Sequence, residues 1–234
     1  MNELDAFQSQ DFSTDYRLRV LFSMIPKGGA LLDIGSGNGA IAEMRRDSYK
    51  RFVLADNSPE LVQHLQKKFQ DRPNVEVSLQ DARHLIWQEE FDVISACDIL
   101  EHVSEDTLCL QAFMRALKPE GILFISVPAY PWLYGMRDKK YGHVRRYTKK
   151  DLRQLLTEAG LEVEMLFYWN AVGFFPYIVS EKILKRPLVA PARTGKGGVV
   201  SRFINKALYG ILLFESRIHM PFGLSLIAIC RKQG

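Results

Sequence analysis

The segment Leu31-Leu32-Asp33-Ile34-Gly35-Ser36-Gly37-Asn38-Gly39-Ala40 constrains this chain more than any other, because an apolar run passes straight into a glycine turn and then into helix-compatible residues. Glycines reach positive φ and carry no Cβ, so backbone can approach a ligand closely, and a helix that follows offers free N–H groups. A strand, a glycine turn and a helix in that order open a β-α-β sheet and predict a nucleotide-like cofactor. Spacing alone leaves the cofactor open, since Gly35-x-Gly37-x-x-Ala40 also satisfies the dinucleotide fingerprint.

Short apolar runs alternating with amphipathic stretches extend the pattern and predict an α/β fold, a Rossmann-like, mostly parallel sheet. Strands are expected near Ala30–Ile34, Phe52–Ala55, Val75–Leu79, Phe91–Ala96, Gly121–Val127, Leu161–Phe167 and Leu224–Cys230. Helices are expected over Ser58–Phe69, with Pro59 at its first position, over Glu105–Leu117, stopped by Lys118-Pro119-Glu120-Gly121, and over Thr148–Ala159, with Thr148 as N-cap and Gly160 at its end. The 234 residues are 47% apolar and 25% charged, which excludes disorder and coiled coil and suits a single domain over 1–234. Residues 171–220 exceed what a minimal sheet needs before its last strand, and the apolar stretches Ala171–Leu184 and Ser201–Ile218 predict a helical insertion there. A cap on its own sheet is the favoured reading of 171–220, and a lid over a greasy substrate and peripheral contact with an anionic membrane are the others.

Charge is unevenly spread. Arg137–Lys150 holds seven basic residues against one acid, Asp138, and Lys182–Lys206 holds seven with none. Two local basic runs on an otherwise acidic chain predict attraction for anions rather than a duplex-binding face, so nucleic acid is not the expected partner. Cys97, Cys109 and Cys230 are too widely spaced for a disulfide framework or a Cys-x-x-Cys site, and no metal centre is expected. The polar, acidic start Met1-Asn2-Glu3-Leu4-Asp5 differs from a secretory signal, which with the cysteine usage predicts a cytoplasmic location, extended to the inner face of a membrane if 171–220 docks there.

Acids at successive strand ends bear on the cofactor. Asp33 precedes the glycines, where a carboxylate suits an ammonium group and would repel a pyrophosphate. Asp56 ends the second strand, placed for two ribose hydroxyls, and Asp81 follows the third, where it could accept from an adenine amine. With these residues the segment resembles the first motif of class I S-adenosylmethionine-dependent methyltransferases. The likeness runs from Leu31 to Gly160 and returns in Gly223–Arg231; it includes Phe91–Val103, similar to the strand and loop carrying Leu100-Glu101-His102-Val103 in small-molecule members, and Leu117–Leu123, which matches the entry to the fifth strand. The resemblance implies seven strands with an antiparallel last one and S-adenosylmethionine as cofactor. It puts Asp33, Gly35, Gly37 and Gly39 around the methionine portion, Asp56 and Asn57 at ribose and adenine, Asp81 and Ala82 at adenine, and Cys97 or Asp98 near the sulfonium.

Methyl transfer from a sulfonium is an in-line displacement that mainly demands alignment and exclusion of water. For a hydroxyl acceptor, His102 and His143 are the candidate bases. Tyr130, Trp132 and Tyr134 lead into the loop holding His143, Arg145, Arg146 and Tyr147, and the mixture of aromatic walls and cationic donors predicts an acceptor, small or lipid-like, with an apolar body and an anionic group. The methyl-accepting atom, oxygen or nitrogen, and the oligomeric state stay open. A nicotinamide-binding oxidoreductase and a cofactor-binding module that docks on a membrane or partner are the alternatives.

Overall fold

The computed structural model describes residues 16–45, 47–185, 207, 209–218 and 220–234. Seven strands form one sheet: β1 (Ala30–Ile34), β2 (Arg51–Asp56), β3 (Val75–Leu79), β4 (Phe91–Cys97), β5 (Leu117–Pro128), β6 (Leu161–Trp169) and β7 (Ser225–Lys232), in the spatial order β3-β2-β1-β4-β5-β7-β6. The β1, β2, β3, β4 and β5 pairings are parallel, whereas β7 runs antiparallel between β5 and β6. This is the Rossmann-like sheet expected from the sequence.

Every residue of β1 is buried, and its side chains divide between the two faces. Leu32 and Ile34 pack with Val53, Ile94, Phe113, Leu123 and Leu152 on one side. Leu31 packs with Phe52, Leu54, Val93, Phe124 and Trp169 on the other. Continuous apolar runs are what a parallel strand covered on both faces requires. Chain order reverses direction across β1, whose neighbours are β2 and β4, and the crevice outside the strand ends at such a point is where α/β sheets bind ligands.

Two helices start where their capping residues dictate. Ser58 Oγ accepts from Leu61 N at the start of Pro59–Lys68, and Thr148 Oγ accepts from Asp151 N at the start of Lys149–Glu158. A helix over Asp106–Ala116 packs Cys109, Leu110 and Phe113 into the core. The strand after it begins earlier than the Gly121 expected from sequence. Leu117 already pairs with Phe91, Glu120 takes a left-handed φ of 63°, and the register shifts before Val93 meets Ile122. A bulge thus absorbs Pro119, which has no N–H to give to a ladder. The helix Tyr16–Ser23, unread in the sequence, adds Val20 and Leu21 to the second face.

Between β6 and β7 the chain forms a helix over Phe174–Ile178 that continues as a wider π-type coil over Val179–Leu184, and residues 209–215 are helical. The rest of the expected insertion, including most of the Lys182–Lys206 basic run, lies outside the described residues. Buried carboxylates tie the described part down. Glu215 accepts from the backbone N–H groups of Ala171 and Val172, and Glu181 accepts from those of Met136 and Arg137. No helix among the described residues is long and apolar enough to cross a membrane.

Candidate active site

The glycine turn leaves β1 with Gly35, Gly37 and Gly39 at φ values of 67°, 55° and 77°, which glycine adopts without strain. Space is restricted as well. A Cβ on Gly39 would lie 2.5 Å from the Phe69 ring, and one on Gly35 would overlap the Ile99 side chain. Asp56 holds the turn in place: its Oδ2 accepts from Gly37 N and its Oδ1 from Ser58 N, both at 3.0 Å. The carboxylate therefore joins the end of β2 to the turn that follows β1, and each oxygen keeps lone-pair capacity for a further donor.

Asp33 is 3% exposed, and Ser95 lies opposite it in register on β4. Burial, then the neighbouring Asp56 charge, push its carboxyl up to about 8, against a hydrogen bond with Ser95 that favours ionisation. Asp33 is thus protonated at neutral pH, and a cation placed beside it would draw the proton off.

A recess of about 340 Å³ opens outside the ends of β2 and β3, lined by Asn57, Leu79, Gln80 and Asp81. The Asp81 carboxyl is held down at about 2, chiefly by hydrogen bonds from the Arg83 guanidinium, so it is ionised throughout the ordinary range. Ala82 beside it is half-buried. Leu79 was not singled out by sequence, yet it stands 52% exposed beside this recess as an apolar face suited to a flat ring. An outward-facing leucine at the end of an edge strand was the available signal. Across the sheet, Cys97 is half-buried, and Asp98 is set at a φ of 56° by donating its N–H to Ser126 O and accepting from Ser126 Oγ.

Beyond Asp98 the chain turns through the short helix Leu100–His102, and the loop after β5 returns alongside it, Val144 N donating to Glu101 O at 2.7 Å. The imidazoles of His102 and His143 meet edge to face, centroids 4.7 Å apart. Asp138 is a buried hub. Its Oδ1 bonds His143 Nδ1 at 2.9 Å and Arg146 Nε at 2.8 Å, while its Oδ2 accepts from Gly135 N. Burial alone would raise its pKa, but the bonds from His143 and Arg146 hold it below the ordinary carboxylate range. Asp138 thus takes up His143 Nδ1 and leaves Nε2 outside the hub. Burial and the nearby His143 push the His102 pKa down, which favours its neutral form.

Arg145 and Arg146, the expected acceptor anchors, are both engaged inside the domain. Arg145 pairs with Asp106 at 2.7 Å and donates to Ser104 O. Arg146 also donates to Ala129 O and to the Tyr177 hydroxyl. Tyr147 is buried, its hydroxyl bonded to Asp106 and Leu100 O, and Tyr134 donates to His143 O. These four residues shape the loop and fix His143.

Tyr130 and Trp132 do belong to an aromatic wall. Tyr130 stacks on Tyr168 with centroids 5.1 Å apart and touches Trp132 and Phe174, and Phe174 in turn meets Phe175 and Phe222. Tyr168, Phe174 and Phe222 were missed in the sequence because they come from β6, from the insertion and from the approach to β7, and only the fold joins them.

A glycine turn at the switch point, acids beside it and a recess outside β2 and β3 are the surroundings in which family resemblance becomes informative. Residues 7–166 match the family model described as a methyltransferase domain. The chain belongs to the class I S-adenosylmethionine-dependent methyltransferases. Among its relatives, the ubiquinone biosynthesis O-methyltransferase of Xanthomonas axonopodis pv. citri (strain 306) is 26% identical over 155 residues, covering 59% of this chain and 65% of that protein. The (S)-coclaurine N-methyltransferase of Papaver somniferum is 30% identical over 108 residues, 44% of this chain and 31% of that one. The matched part is less than two thirds of either relative's length. Similar solved structures include a chain of the Haloferax volcanii complex between the Trm112 methyltransferase activator and a methyltransferase, with a TM-score of 0.68 at 18% identity over 100% of this chain and 99% of that one. The Bradyrhizobium japonicum N-methyltransferase NodS, in complex with S-adenosylhomocysteine, gives 0.60 at 15% identity over 99% and 97%. At such identities these two show the shared fold.

Proposed function

We propose that this methyltransferase-family chain moves a methyl group from S-adenosylmethionine to an oxygen or nitrogen of a small or lipid-like acceptor; the anionic group expected of that acceptor loses its support, because Arg145 and Arg146 are taken up by Asp106 and Asp138. The observation that carries the reading is the cofactor crevice, in which Asp56 braces the glycine turn beside a recess bounded by Asn57 and Asp81. Gly35, Gly37 and Gly39 bring the turn backbone close to the methionine portion, Asp56 and Asn57 take the ribose hydroxyls and adenine edge, and Asp81 with Ala82 takes the adenine amine. Leu79 packs on the ring. Cys97 and Asp98 border the sulfonium. On the acceptor side, His102 and the His143 held by Asp138 are positioned to take a proton, and Tyr130 and Trp132 supply the apolar wall. The exposed side chains of Phe175, Ile183, Leu184 and Phe214 support a lipid-like acceptor, or contact of the insertion with a lipid surface.

Titration calorimetry with S-adenosylhomocysteine tests the reading. Binding at one site per chain is expected, and absence of binding by folded protein would overturn it. The proton balance of the same titration tests Asp33. Its folded pKa of about 8 lies above its ordinary 3.8, so between those values the free protein carries a proton that the ligand's ammonium group displaces. Binding at pH 7 should release up to about one proton, seen as heats that vary with the buffer's ionisation enthalpy, and release should fade above pH ~9, where Asp33 is already ionised. Asp33→Asn should abolish it. Release that persists in Asp33→Asn would assign the proton elsewhere. The same linkage makes the ligand-free protein lose stability as pH rises from 3.8 through about 8.

A further inference from the structure

Sequence spacing predicted no metal centre, yet the fold brings Glu101, His102 and His143 together with one ligand atom from each within 4.8 Å of the others. Glu101 supplies a second, independent observation. Its side chain is 1% exposed, and neither carboxylate oxygen has a hydrogen-bond partner among the described residues. Buried carboxylates are ordinarily paired, hydrogen-bonded or bound to a cation. We infer that Glu101, His102 and His143 bind a divalent first-row transition-metal ion.

The surrounding geometry fits such an ion. Asp138 grips His143 Nδ1 at 2.9 Å, which fixes the ring and leaves Nε2 as the donor, the carboxylate–histidine arrangement that orients metal-bound imidazoles. The ring planes of His102 and His143 cross at 86°, so their nitrogens can converge on one point rather than stack. Two imidazole nitrogens and one carboxylate oxygen suit zinc, iron(II), cobalt(II) or manganese(II) better than magnesium or calcium, which prefer oxygen alone. Three protein donors leave a coordination position open, as sites that engage a substrate require. Glu101 and His102 follow β4 and His143 follows β5, which puts that position on the acceptor side of the crevice. An acceptor oxygen bound there would lose its proton to solvent more readily, because a divalent cation stabilises the anion, and with the ion bound His102 and His143 act as ligands instead of as bases. That use of the ion rests on the methyl-transfer reading above; binding of the ion does not.

The experiment uses the full chain without a histidine tag, dialysed against chelator and then titrated with cobalt(II) and zinc(II), with S-adenosylhomocysteine affinity measured in parallel. One ion per chain is expected, with visible cobalt absorption showing nitrogen and oxygen ligation. Glu101→Gln, nearly isosteric, and His102→Ala, at an exposed position, should each weaken binding at least about 10-fold and diminish the cobalt spectrum, leaving S-adenosylhomocysteine affinity within about twofold. No uptake, or uptake that both variants retain unchanged, would overturn the inference. If S-adenosylhomocysteine binds and metal does not, only the metal site falls. If metal binds with the expected variant losses and S-adenosylhomocysteine does not, the site stands and the methyltransferase reading fails.

Discussion

Asp138→Ala should destabilise the protein by about 3–5 kcal/mol, the range for removing one partner of a buried ion pair. The Asp138 side chain is 0% exposed and that of Arg146 is 5% exposed, so the substitution leaves a guanidinium charge without its carboxylate in a place water does not reach. Arg146 Nε, His143 Nδ1 and Gly135 N all lose the same acceptor. Chemical denaturation followed by circular dichroism measures the loss. Asp138→Asn, which keeps the shape and one acceptor oxygen, should show less of it. The pH dependence has a definite sign. The Asp138 pKa is lowered on folding, so its contribution is present above the ordinary carboxylate value of 3.8 and disappears as pH falls through the lower folded value. A loss below about 1 kcal/mol in Asp138→Ala would show that the hub is solvated in solution and that His143 is not held by it.

Asp56→Ala carries the second large effect, on affinity. Two hydrogen bonds from ribose hydroxyls to a carboxylate are together worth about 3 kcal/mol, so S-adenosylhomocysteine affinity should fall roughly 150-fold. The structure adds a consequence that the sequence reading did not contain. The same carboxylate accepts from Gly37 N and Ser58 N, so the variant should also lose about 1–3 kcal/mol of stability as the glycine turn comes loose from β2. Asp56→Asn retains one carbonyl oxygen and should lie between the two in both measurements. Unchanged affinity in folded Asp56→Ala would assign the carboxylate to bracing alone.

How far the sequence could be read depended on whether a feature was local. Strands β1 and β3 fall at their expected bounds because the apolar run of β1 and the apolar–polar alternation of β3 carry their own signal. The helices at Pro59 and Lys149 start where Ser58 and Thr148 announce them. The glycine turn and the acids at the ends of β2 and β3 were legible for the same reason. The acceptor side was not. Arg145 and Arg146 read as acceptor anchors with pairing to acids of the same domain as the other reading, and only the fold shows that both pair and that Asp106 and Asp138 are the acids. Glu101 and His102 sit far along the chain from His143, and a grouping made by two separate loops leaves no spacing to recognise. The same holds for the wall of Tyr168, Phe174 and Phe222, which come from three separate segments of the chain. The early start of β5 was hidden by Pro119, which argues against a strand unless a bulge accommodates it.

Ile99 fills the space where any side chain on Gly35 would go, and it is the residue immediately before the turn that carries Glu101 and His102. A methyl group added at position 35 would therefore be felt at both ends of the crevice, first by the donor's binding loop and then, through a displaced Ile99, by the imidazole pair. Attempts to re-engineer this protein for a modified sulfonium donor should treat residues 35 and 99 as one unit and repack them jointly, since altering either by itself would also retune which acceptors are accommodated.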